Sequence, residues 1–233
     1  MIKHIKLYHL PASRSARVRW ALYETVGDDF EEEIVPLNQG AQYHPDFLKL
    51  NPNHSVPVLE VTMADGEVKR MIESAAMVEW LVDAFPEKKL SPQPSQLNWG
   101  RADYLQMLHF GSTWMDMMIW QVHIHEHILP SDQSDAKTIA RYRSKFINEV
   151  EPQLESRLSK MPYICGEVFS GADIIIGHNV IWASGYNLCQ DEVFHTYVSR
   201  LNKRPGFQKG FASPKGFAQD LPDLEFLASK FTG

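Results

Sequence analysis

The chain has 233 residues, which at about 150 residues per domain allows one or two domains. It is 44% hydrophobic and 22% charged, so it can bury a core without disulfides or a structural metal, and disordered, collagen-like and coiled-coil classes are excluded. With 23 Lys and Arg against 29 Asp and Glu the net charge is −6, which lacks the general basic character of a dedicated nucleic-acid binder but leaves small-molecule substrates open.

The first third alternates between strand and helix signals. Apolar residues at every second position predict a strand over Ile2 to Leu10, ended by Pro11. Val18, Leu22 and Val26 with interleaved alanines predict a helix from Ser13 to Thr25. Glu33 to Leu37 reads as a second strand and Asp46 to Leu50 as a helical turn stopped by Asn51-Pro52. Val58 to Thr62 and Val68 to Ile72 flank Asp65-Gly66, a hairpin turn pair. Ser74 to Phe85 is a helix ended by Pro86. The order β-α-β-α-β-β-α implies a parallel first pair, an antiparallel hairpin, and helices on both faces of a small mixed sheet.

Pro86 to Gln96 is rich in Pro, Lys, Ser and Gln and is the best linker candidate. The expected division is a domain over 1–86, a linker over 87–96 and an all-helical domain over 97–233. After the linker, Met107, Phe110, Trp114 and Met117/Met118 recur at helical steps, as do Phe146, Val150, Leu154 and Leu158. Ser170 and Asp173 form a capping-box pattern ahead of an almost uniformly apolar helix running to Ser184.

The two cysteines, Cys165 and Cys189, stand in no metal or redox spacing and fit a reducing compartment. No stretch has the apolar length of a signal peptide or of a span of about 18 residues. A cytoplasmic protein with no membrane partner is expected.

Three segments carry chemistry. Asn51-Pro52-Asn53-His54-Ser55-Val56-Pro57 places a proline directly ahead of a strand, where it is either a plain strand entry or a cis bond presenting the preceding backbone to a ligand. Glu73-Ser74 opens a helix: its first N–H groups and the Ser hydroxyl suit a carboxylate, and Glu73 an ammonium, while simple capping explains Ser74 equally. Ser13, after the first strand and at a helix start, sits in positive potential and either caps the helix or donates to an anion.

In this order, with about 43 residues from Ser13 to Val56 and about 17 from Val56 to Glu73, the segments resemble the glutathione-binding, thioredoxin-like domain of cytosolic glutathione transferases. Phe169 to Ile174 and Arg204-Pro205-Gly206-Phe207 resemble two signatures of that family's all-helical C-terminal domain, so the likeness spans residues 5 to about 212. It implies glutathione as co-substrate with no metal, a small hydrophobic electrophile as second substrate, and a homodimer, acting in detoxification, with no nucleic-acid partner. It further implies a cis Val56-Pro57 bond, with Val56 pairing to the cysteinyl backbone of glutathione, and Glu73 and Ser74 at the γ-glutamyl end. The helical domain would supply the hydrophobic acceptor site.

In such enzymes the protein lowers the pKa of glutathione's own thiol. Bringing a thiol from about 8.5 down by about two units takes roughly 2.7 kcal/mol, the scale of one hydroxyl hydrogen bond to an anion plus a helix N-terminus. Ser13, four residues ahead of Arg17, matches the serine-type (theta- and phi-like) spacing; Ser15 and Tyr8 are the alternatives. No cysteine stands here, against the cysteine-type classes. Arg14 falls where theta-like enzymes contact the glycine carboxylate. Many serine-type members carry a lysine two residues before the cis proline; Ser55 stands there, so Gln42, His54 or Ser55 is left to supply that contact. A non-catalytic glutathione-binding module and a glutathione-dependent isomerase, dehalogenase or ether-cleaving enzyme remain as alternatives. His123-Ile124-His125-Glu126-His127 has two histidines on one helical face but no obvious third metal ligand, and reads as a helical edge. Trp114, Met115, Met117 and Met118 suit an apolar pocket or a packed core equally.

Overall fold

The structure is a computed structural model and describes residues 1–94 and 99–212. The end of the expected linker and residues 213–233 of the expected helical domain lie outside the described residues. Among the described residues the chain divides into two compact units: residues 1–93 with 202–212, and residues 94–201.

The first unit is a thioredoxin-like α/β arrangement. Strands β1 (Ile2–His9), β2 (Glu31–Ile34), β3 (Val58–Met63) and β4 (Val68–Met71) form one sheet in the order β2-β1-β3-β4. β1 pairs parallel with β2, as a β-α-β start requires, and antiparallel with β3. The hairpin between β3 and β4 turns at Gly66, whose φ of 89° favours glycine. Helix α1 (Ser15–Thr25), helix α2 (Pro45–Leu50) and helix α3 (Ser74–Ala84) complete the unit's expected elements.

Alternation along β1 assigns its faces. Ile5, Leu7 and His9 share one face and are buried, His9 reaching Ser15 of α1. Tyr8 takes the other face and meets Phe47 of α2 edge-on at 6.3 Å, in a cluster with Val35, Val56 and Val58. Helices therefore cover both faces.

β2 is shorter and earlier than the apolar run over 33–37 suggests. Its pairing with β1 takes Glu31 to Ile34; Val35 closes the end by donating its N–H to the His9 carbonyl at 2.8 Å, and Pro36 has no N–H to continue. The stretch expected to begin a linker packs back instead. Pro86–Lys88 is a 3₁₀ turn, Leu90 is buried, and the Ser91 hydroxyl donates to Asp83 of α3 at 2.9 Å.

Helix α10 (Pro205–Phe211) belongs with this first unit, against α1. Gly210 permits that approach: a Cβ there would lie 2.7 Å from the Trp20 Cβ. Trp20 meets Phe207 and Phe211 edge-on at 5.0 and 5.9 Å, and Arg204 pairs with Glu24 through two bonds of 2.8 Å. Surrounded by the sheet, α3 and α10, α1 is buried over every residue from Ser15 to Leu22.

The second unit is helical: α4 (Trp99–His109), α5 (Asp116–His123), α6 (Ala136–Lys145), α7 (Glu151–Leu158), α8 (Gly171–Ser184) and α9 (Glu192–Leu201). Wide π turns at Phe110–Met115 and Phe146–Val150 join α4 to α5 and α6 to α7. Gly111 lies in the first, where a Cβ would stand 2.7 Å from Ile175, and its carbonyl accepts from buried Asn179 at 2.7 Å. Among the described residues no helix is long and apolar enough to cross a membrane.

The capping box at α8 forms, and it extends beyond a cap. Asp173 is fully buried and accepts from the Ile164 N–H at 2.8 Å, the Ser170 N–H at 2.9 Å, the Ser170 hydroxyl at 3.0 Å and the Tyr197 hydroxyl at 2.8 Å. Burial pushes its carboxyl above the usual range, and the four donors offset part of that cost. Replacing Asp173 by Ala strands those donors and should lower stability by about 3 kcal/mol, read as a shifted urea midpoint at unchanged slope.

His9 gives the fold an acid-sensitive point. Burial, then the Arg19 charge, pulls its pKa from 6.5 down to about 3. The unfolded chain protonates His9 below about 6.5 and the folded chain does not, so this contribution is complete above 6.5 and is lost as pH falls toward 3. His9→Gln removes that proton uptake. Between about pH 7 and pH 5 wild type should lose ~2 kcal/mol more than His9→Gln in paired urea titrations.

Candidate active site

Strand register gathers the three chemistry-bearing segments at one end of the sheet. Tyr8 pairs with Val58 and Leu59 with Met71. The chain leaving β1 (Leu10 to Ser13), the chain entering β3 (Ser55 to Pro57) and the chain leaving β4 (Ile72 to Ser74) therefore emerge side by side. Leu10, Ala41 and Ile72 pack on the cluster that holds Val56. The Arg17 guanidinium, buried in α1, donates to the Ser74 hydroxyl at 3.3 Å and ties the starts of α1 and α3.

Ser13 is half-buried just ahead of α1. Its hydroxyl lies 2.8 Å from the Leu10 carbonyl and 2.7 Å from the Ser15 hydroxyl, and accepts the Ser15 N–H at 3.2 Å. Arg14 occupies the N-cap position without a side-chain cap, so the hydroxyl at this helix start is that of Ser13. Ser15 is 0% exposed and is held by Leu10, His9 and Ser13. Tyr8 is buried in β1 against Phe47, and burial pushes its phenol up.

Val56-Pro57 is a cis peptide, and the Val56 N–H and C=O make no hydrogen bond among the described residues. Asn51 shapes the turn before it: its amide donates to the Ser55 carbonyl at 2.8 Å and to the Ser55 hydroxyl at 3.2 Å, and its Oδ1 accepts the Asn53 N–H at 2.9 Å. The exposed His54 ring lies 5.0 Å from the Tyr43 ring. Gln42 is buried and its Oε1 has no partner among the described residues.

Glu73 has φ 76° and ψ 104°, a left-handed conformation that a non-glycine residue adopts at a cost of about 1–3 kcal/mol and that clusters at functional sites. It is exposed, directly ahead of α3, whose first N–H groups have no partner inside the helix. Ser74 does not cap that helix; its hydroxyl accepts from Arg17.

His9, Tyr43 and the Arg17–Ser74 bond carry no signal in the motif reading, and Asn51 enters it only as the first residue of its segment, without a role. For His9 a signal existed: it continues the inward register of Ile5 and Leu7, so a polar group was due in the core. The helical candidates belong to the second unit. Met115 and Met118 are 0% exposed, hence core, while Trp114 is exposed beneath the Lys145 ammonium at 5.0 Å. Phe110 and Trp114 line an open groove of about 780 Å³ with His109 and Asn148. His123 Nδ1 bonds the Tyr186 hydroxyl at 2.6 Å, and among the described residues no cluster suits a metal ion. Both cysteines are unpaired; burial pushes Cys165 up to about 12 and raises Cys189 further.

Residues 7–89 match the family described as glutathione S-transferase, N-terminal domain. The disulfide-bond oxidoreductase YfcG of Escherichia coli is 30% identical over 177 residues, 73% of this chain and 76% of that protein. Glutathione S-transferase D7 of Anopheles gambiae is 27% identical over 171 residues, covering 73% and 72%. Among solved structures, a glutathione transferase from Burkholderia graminis with two glutathione molecules bound per subunit superposes with a TM-score of 0.79 at 25% identity, over 92% of this chain and 90% of that one. A glutathione transferase from Methylococcus capsulatus gives 0.74 at 26% identity, over 89% and 97%. With the fold, the register and the sequence agreeing, the chain belongs to the glutathione S-transferase family.

Proposed function

We propose that this chain is a serine-type glutathione transferase that joins the thiolate of glutathione to an electrophilic carbon of a small apolar substrate. The observation that carries the reading is the convergence, at one sheet end, of the Ser13 hydroxyl at the start of α1, the Val56 backbone, which has no hydrogen bond among the described residues, and the N-terminus of α3. Glutathione is a tripeptide with an anionic or polar group at each position. The α3 N-terminus with Glu73 and Ser74 answers its γ-glutamyl zwitterion. The Val56 N–H and C=O answer its central amide, as an added strand would. Ser13 donates to the sulfur, which also sits in the positive end of the α1 dipole. Arg14, Gln42, His54 and Ser55 are the groups left for the glycine carboxylate.

No protein thiol competes for the nucleophile's role. The raised Cys165 and Cys189 are protonated at neutral pH, and both lie in the helical unit. This also shapes a second reading, favoured by the likeness to a disulfide-bond oxidoreductase. In disulfide reduction one glutathione thiolate would attack a substrate disulfide and release a thiolate; a second glutathione would then attack the mixed disulfide, leaving glutathione disulfide and two substrate thiols. The same Ser13 site serves either reaction. A homodimer completes the proposal.

Ser13→Ala should lower kcat/KM with an activated aryl halide about ten- to a thousandfold, the cost of one lost transition-state hydrogen bond, with glutathione affinity by calorimetry nearly unchanged. Unchanged turnover would reject Ser13. The paired Cys165→Ser and Cys189→Ser variant should keep both conjugation and reduction of a small dialkyl disulfide within about twofold. Loss of disulfide turnover alone in that variant would assign the reduction to a protein thiol.

A further inference from the structure

Arg17 stands in α1 with a side chain that is 0% exposed. Removing a guanidinium from water is costly, and an apolar side chain of similar volume would fill the space between α1 and α3 without that cost. Its placement therefore points to a use for its donors. One of them, on Nη1, reaches the Ser74 hydroxyl at 3.3 Å, across 57 residues of chain, at the start of α3.

The direction of that bond is fixed by chemistry. A guanidinium carries five N–H donors and no acceptor, so the Ser74 oxygen must accept. A hydroxyl has one hydrogen and two lone pairs. Arg17 fills one lone pair, and among the described residues the Ser74 side chain makes no other hydrogen bond. Its hydrogen is therefore not spent inside the fold. Nor is the oxygen taken up by capping, since α3 starts without a side-chain cap. Ser74 is 8% exposed, directly after Glu73 and beside the first N–H groups of α3.

Two effects of Arg17 act on that hydrogen with the same sign. A serine side chain has three staggered rotamers. The guanidinium holds the oxygen in one of them, and the hydrogen cannot point at a donor, so it is left for an acceptor outside the core. A hydroxyl that accepts from a cation is also polarised into a stronger donor. In the ligand proposed above, the acceptor-only group at this end is the γ-glutamyl carboxylate.

We infer that Arg17 is a positioning residue for glutathione: it pins and polarises the Ser74 hydroxyl, so that this hydroxyl donates to the γ-glutamyl carboxylate. This rests on the placing of that carboxylate at Ser74 in the proposed function. Arg17 acts through Ser74 and does not itself meet the ligand, and no proton moves.

Calorimetry with two ligands tests the role: glutathione, and 4-aminobutyryl-cysteinyl-glycine, which lacks only the γ-glutamyl carboxylate. Ser74→Ala should weaken glutathione about ten- to a hundredfold, the cost of a hydrogen bond to a charged group. Arg17→Met should weaken it about three- to tenfold, because the hydroxyl remains but is neither held nor polarised. Each variant should bind the analogue within about twofold of wild type, whereas a general loosening of α1 against α3 would weaken both ligands alike. Added to Ser74→Ala, Arg17→Met should cost nothing further. Equal losses for the two ligands in Arg17→Met, or losses that multiply in the double variant, would overturn the inference, as would wild-type affinity in Arg17→Met while Ser74→Ala is impaired. Wild-type affinity in Ser74→Ala would instead remove the placing of the carboxylate at Ser74. Should Arg17→Met fail to fold, neutron diffraction of the deuterated wild-type complex with glutathione decides. A Ser74 deuteron on the carboxylate, with an Arg17 deuteron on the Ser74 oxygen, supports the inference; a Ser74 deuteron directed anywhere else overturns it.

Discussion

The pairing of β1 with β3 is the constraint on which the candidate site depends. Tyr8 opposite Val58, with Leu59 opposite Met71, brings three distant chain reversals to one sheet end. A slip of one residue would exchange the faces of β1, sending Tyr8 toward α1 and Leu7 toward α2. Leu7 and Leu59 are paired and fully buried, so the apolar core holds the register that the polar site needs. The site's geometry is in this sense a by-product of packing, and the residues that touch ligand need contribute little to stability.

The electrostatics of the site are local. A net charge of −6 does not prepare a protein to hold an anionic sulfur, but two helix N-termini at one sheet end do. What such dipoles supply is partial charge without a titrating group. That fits a neutral His9 nearby, kept so by burial and by Arg19. It also fits cysteines held well away from the thiolate range.

Legibility in the sequence followed the range of the interaction that fixes each element. The β3–β4 hairpin and the Ser170–Asp173 capping box are decided within a few residues, and both stand where the pattern puts them. β2 is decided by pairing with β1, and Ile34-Val35 reads as strand on either side of the true end. The place of α10 could not be read locally at all, because Gly206 and Gly210 take their meaning from Glu24 and Trp20, far back in the chain. The motif residues Ser13, Val56, Glu73 and Ser74 were visible as a spaced set. The contacts that His9, Asn51 and Arg17 make around them were not, since each exists only after folding.

Buried polar groups in this chain divide into two kinds, and the division separates architecture from chemistry. Asp173 is surrounded by four donors that match its lone pairs, and nothing about it asks for a further partner. Such a saturated group fixes one arrangement of neighbouring elements. Near the sheet end the accounts do not close: among the described residues Gln42 Oε1 and His9 Nε2 are buried with no partner, and Glu73 holds a left-handed backbone without a glycine. Folding alone gives no reason to keep three such costs together in one unit. The proposed ligand, pairing with the Val56 backbone and offering a donor to the Gln42 oxygen, would supply one.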